Sequence, residues 1–195
     1  MNKKKKITII LITSLLIIFG IIIMIILISN KTNNMIDYNI NEYSFSIQKD
    51  WKKINSSNLS YTFQYETEDD YIYSYIFVSP NTYLPASYQS KKIRNTETFK
   101  YNVEEFLNEM VEGLCEDYEN CYLDKYEVID INDYFCIKSF VNGVVEDNFK
   151  QVIYSFFDFD EKNAVGFSFV VQDDFSKNSL QMIDEIVNSY RINKK

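Results

Sequence analysis

Hydrophobic and polar positions divide this chain into two unlike parts. Ile7 to Ser29 is a run of 23 residues without a charge, and after Asn30 the apolar residues recur at short, regular spacings. At about 1.5 Å rise per residue, a helix over the first run spans a hydrocarbon core roughly 30 Å thick. A cleaved leader has a shorter apolar stretch and a small-residue cleavage site. Ile26-Leu27-Ile28-Ser29-Asn30 offers no such site. The pattern predicts an uncleaved signal-anchor: a cytoplasmic tail over 1–6, a transmembrane helix over 7–29 and a polar tether over 30–37. The domain over 38–195 is then extracytoplasmic, because Lys3, Lys4, Lys5 and Lys6 stay inside.

In the second part, apolar and polar residues alternate over Tyr43–Ile47 and Tyr61–Tyr65, the mark of half-buried strands, and Tyr71–Ser79 reads as a third strand. Gln48 to Trp51 reads as a turn that places the one tryptophan in the core. Glu66 to Asp70 reads as the connector of a hairpin. Pro80 and Pro85 open a loop reaching to about Asn95. The period then changes: Val103, Phe106, Leu107, Met110, Val111 and Leu114 fall on one helical face, with Asn102 and Glu105 placed as a capping box. Strands follow over Tyr126–Ile131, Tyr134–Val141, Asn148–Phe157 and Val165–Val171, with Asn142-Gly143 as a turn. Leu180, Ile183, Val187 and Tyr190 make a last helical stripe behind the cap candidates Ser176 to Ser179. Strands, helix, strands, helix is the order of an α+β domain. It predicts an antiparallel sheet with two main helices packed on one face.

Composition narrows what such a domain does. The chain has 20 basic and 28 acidic residues. Without the four N-terminal lysines, 16 basic residues face 28 acidic ones, a net charge of −12. Nucleic acid is excluded as a partner on that balance, and metal cations, cationic peptides or a simply solvated acidic surface fit it better. Histidine is absent, which removes the commonest general base and the commonest zinc ligand together. No acidic loop matches a calcium-binding EF-hand, and phosphate-binding and hydrolase motifs are missing. No catalytic residue, metal ligand or cofactor is therefore assigned. Cys115 and Cys121 are close enough in sequence to form a disulfide if the helix ends near Glu116 or Asp117, and the two pairing states remain open. Cys136 reads as a small buried hydrophobe.

The candidate binding residues are Tyr71, Tyr73, Tyr75 and Phe77, which share one face of their strand while Ile72, Ile76 and Val78 share the other. Left open to solvent, this stripe would dock an envelope protein, a peptide or a glycan. Alternatively, the stripe packs beneath the Pro80–Asn95 loop.

The chain resembles the PsbP-like domains, including those attached to bacterial envelopes. Tyr43-Ser-Phe-Ser-Ile-Gln-Lys-Asp-Trp51 carries their opening strand and Trp, and Ile186-Val-Asn-Ser-Tyr-Arg-Ile192 carries their closing helix and strand. Lys49-Asp50 replaces the proline common before that Trp. The resemblance runs over about residues 43–192 and implies a non-catalytic binding or accessory domain of the cell envelope. A small envelope enzyme using carboxylates and an immunity-type membrane protein that binds a toxin are the alternatives.

Overall fold

The computed structural model describes Ile17 and residues 34–193, apart from 68–70, 83, 144–148 and 173. The chain divides into two units, Met1–Ile36 and Asp37–Lys195. The predicted anchor over 7–29 lies outside the described residues except for the helical, exposed Ile17. Among the described residues no helix is long and apolar enough to cross a membrane.

Strand β1 (Met35–Ile40) begins inside the predicted tether, so chain order starts earlier than the polar composition of that stretch suggests. It joins β2 (Tyr43–Gln48) and the short β10 (Arg191–Ile192) in a three-stranded sheet ordered β1-β2-β10. The main sheet has seven antiparallel strands. They are β3 (Lys52–Ser56), β4 (Ser60–Glu66), β5 (Tyr71–Pro80), β6 (Tyr122–Ile131), β7 (Tyr134–Asn142), β8 (Phe149–Asp158) and β9 (Asn163–Gln172). Their order is β3-β4-β5-β9-β8-β7-β6. After β5 the chain crosses to the far edge through helix α1 (Glu97–Cys115), then meanders back until β9 pairs with β5. Helix α2 (Lys177–Asn188) follows β9.

The two helices lie on opposite faces of this sheet, which corrects the one-face expectation. Successive residues of a strand point to opposite faces. On β7, Phe135 and Ile137 join a core with Phe99, Val103 and Leu107 of α1. Between them, Cys136 joins the other core, with Phe45, Trp51 and Ile183, Ile186 and Val187 of α2. The physical reason is in β8 and β9. Val152 to Asp158 and Ala164 to Phe169 are buried without interruption, and strands apolar on both sides need cover on both. The three-stranded sheet and α2 cover one side, and α1 covers the β6–β8 half of the other.

Local chemistry explains most boundaries. Helix α1 starts at Thr96, whose side chain accepts from the Phe99 N–H at 3.3 Å, and not at the predicted Asn102 cap. Asn102 sits inside the helix and donates to the Tyr88 hydroxyl at 2.6 Å. Helix α2 is capped by Ser176, which accepts from the Ser179 N–H at 3.0 Å. Gly143 takes a φ of +75° after β7, and its N–H donates to the Phe149 carbonyl at 2.8 Å, closing the β7–β8 hairpin. Trp51 is buried between Tyr65 and Phe169, and its backbone N–H donates to the Gln48 carbonyl. Strand β3 is exposed along its length, which is why no alternation announces it.

Candidate binding face

Strand β5 lies between β4 and β9 and shows two different sides. Ile72, Ser74 and Ile76 are fully buried on the α2 side. Tyr71, Tyr73 and Tyr75 point to the α1 side and are 42%, 39% and 41% exposed. They remain open because α1 packs over β6, β7 and β8 and stops short of this half of the sheet. Phe77, next in the stripe, is only half-buried and lies flat on Gly166, where any Cβ would run into its ring. It stacks on Tyr75 with centroids 5.1 Å apart.

The surroundings of the stripe follow from strand register. Gln64 and Val170 flank Tyr73, and Thr62 and Ser168 flank Tyr75. Glu66 flanks Tyr71. Gln151 on β8 donates its side-chain amide to the Ser168 hydroxyl beneath the stripe. The result is an aromatic platform edged by hydroxyl and amide groups, with Glu66 at one end. Its chemistry suits recognition through apolar area and hydrogen bonds.

The cysteines are placed as follows. Cys115 ends α1 and is bonded to Cys121 in the loop before β6, with Cα atoms 5.2 Å apart. The turn between them is held by the Tyr118 N–H donating to the Cys115 carbonyl at 3.0 Å. Gly143 packs against the Asn120 backbone of this loop. Cys136 is free and buried, and burial pushes its thiol far up from the ordinary range, so it is chemically quiet.

Among the described residues no group of three His, Cys, Asp or Glu side chains could hold an ion. Asp158 instead organises the β8–β9 turn, accepting from the backbone N–H groups of Asp160 and Glu161 and from the Tyr43 hydroxyl. A feature invisible along the chain is the clamp between Arg94 and Asp130. Two hydrogen bonds of 3.0 and 2.8 Å join them, and Arg94 also donates to the Tyr88 and Gln89 carbonyls. The Arg94 guanidinium holds the Asp130 carboxyl below the usual carboxylate range. Thirty-six residues separate the two, so no local spacing could have found them.

No protein-family model and no curated protein matches the sequence. Solved structures do resemble the fold. The cyanobacterial PsbP (CyanoP) of Synechocystis sp. PCC 6803 is 13% identical with a TM-score of 0.54, over 82% of this chain and 92% of that one. A protein of Bacteroides thetaiotaomicron VPI-5482 is 15% identical with a TM-score of 0.51, over 83% of this chain but only 49% of that one. The Ran-binding protein Mog1p of Saccharomyces cerevisiae is 8% identical with a TM-score of 0.49, covering 83% and 96%. The chain thus has the PsbP-like fold that the Trp51 and Tyr190 signatures suggest.

Proposed function

We propose that this chain is a non-catalytic binding domain, held at a membrane by residues 7–29 and docking a partner protein outside the cytoplasm through Tyr71, Tyr73, Tyr75 and Phe77. The observation that carries it is the exposure of three adjacent tyrosines on a sheet half that α1 leaves uncovered. Large aromatic area at the surface with a hydroxyl at its tip is the composition enriched at protein interfaces. Phe77 is pinned by Gly166 and stacked on Tyr75, so part of the platform is ordered before any partner arrives.

The location rests on separate support. The charge-free run and its four lysines favour an anchored helix with the lysines inside. The Cys115–Cys121 bond fits an oxidising compartment.

The test is a crosslinking pull-down of the full-length protein from its own cells, alongside the triple variant Tyr71→Ala, Tyr73→Ala, Tyr75→Ala. The reading expects a specific partner to be captured by the native chain and lost from a folded triple variant. Undiminished capture by that variant removes the tyrosine face from the account.

A further inference from the structure

The main sheet ends in two edges that differ in kind. Strand β3 is five residues long, starts with Lys52 and Lys53 and is broken by a bulge, features that keep an edge from pairing with another chain. Strand β6, at the far edge, runs for ten residues from Tyr122 to Ile131 and pairs with β7 on one side. Among the described residues no backbone hydrogen bond reaches it from the other side. Its outward N–H and C=O groups are therefore open to an added strand.

Strand β6 has its own bulge at Asp124, which is skipped while Leu123 faces Val141 and Lys125 faces Phe140. Beyond it, Lys125, Glu127 and Ile129 share the α2 side of the sheet, and Tyr126 and Val128 share the α1 side. The bulge returns Leu123 to the α1 side and Tyr122 to the α2 side.

Two exposed charges on this edge are uncompensated. Glu127 stands opposite Lys138 of β7, but the Lys138 ammonium lies over rings, 4.9 Å from the Tyr154 centroid and 5.3 Å from that of Phe140. Lys125 lies over the same Phe140 ring at 4.7 Å. Among the described residues neither Lys125 nor Glu127 has an ion pair.

The strand is complementary to itself in one register. Centring an antiparallel pair of β6 strands on Lys125 or on Glu127 sets like charges face to face. Centring it on Tyr126 sets Lys125 of each copy opposite Glu127 of the other. With the bulge counted, Val128 then faces Leu123 and Ile129 faces Tyr122, each pair on one side of the sheet. A chain this acidic repels its own copies over most of its surface, so a contact needs the opposite charges that this register supplies.

We propose that β6 is a self-association edge, through which two copies of this chain pair about a two-fold axis centred on Tyr126 and continue one sheet into the other. The axis runs normal to the sheet and keeps both α1 sides together, so both tyrosine platforms face the same way. That consequence rests on the docking face proposed above; the edge contact itself does not.

Sedimentation equilibrium of the full chain in detergent, across the micromolar range, tests it by a charge swap. The native chain should dimerise. Lys125→Glu and Glu127→Lys, each alone, should weaken the dimer about tenfold, because each turns two opposite-charge pairs into like ones. The double variant Lys125→Glu, Glu127→Lys should restore it, and so should mixing the two single variants. Both side chains are exposed, so the variants should fold, which circular dichroism checks. A native chain that stays monomeric overturns the proposal. So does a dimer indifferent to the single changes, or a double variant as weak as either one. The tyrosine triple variant should dimerise normally; its loss of the dimer would move the contact to the docking face and overturn the edge.

Discussion

At the scale of single residues, Gly166 decides the shape of the platform. A methyl group there would enter the ring of Phe77. Gly166→Ala is therefore expected to lower stability by about 1–3 kcal/mol, the usual cost of overpacking, and thermal unfolding measures it. Titrating groups set the pH limits. Asp130 has its carboxyl lowered by Arg94, so its contribution is present above the unfolded carboxylate range, near pH 4, and lost as pH falls below it. Arg94→Lys, which cannot keep the forked geometry, should flatten that acid limb in a pH series of unfolding midpoints. Tyr43, Tyr154 and Tyr190 behave in the opposite sense. Burial raises all three, so the unfolded chain releases their protons first and stability falls as pH climbs above about 10.

At the scale of elements, the start and end of α1 each hold a testable contact. Thr96→Ala removes the cap on the Phe99 N–H and should cost about 1 kcal/mol by denaturant titration. Reduction of Cys115–Cys121 frees a loop with a sequence separation of 6, worth about 2 kcal/mol on the chain-entropy scale. A strand-by-strand comparison shows where local pattern suffices. Strands β2 and β5 and helix α2 were legible because their alternation or stripe reflects one buried side. Strand β3 was not, since all five of its residues are exposed. The first turn of α1 was missed because Phe99 is its one buried residue before Val103, and Asn102 imitates a cap. Opposed helices could have been inferred from the near-continuous apolar runs of β8 and β9, a sign of double-sided burial that outweighs helix stripes as evidence.

For the molecule as a whole, the arrangement of α1 decides which half of the sheet stays open. The period-two tyrosine stripe is plain in the sequence, but its exposure depends on which strands a distant helix covers. The Arg94–Asp130 clamp is still less legible, because its two residues stand far apart in the chain. On the proposed topology, protease added to intact cells should cleave the domain and leave the lysine-bearing terminus untouched; complete protection of the domain would refute the outward orientation. The docking face itself is tested most directly by photocrosslinking in living cells, with a photoreactive residue in place of Tyr73 or, as a control, Tyr101 on α1, which is 64% exposed. The account predicts a discrete partner adduct from position 73 and none from 101. No adduct at 73, or the same adducts from both positions, would contradict it.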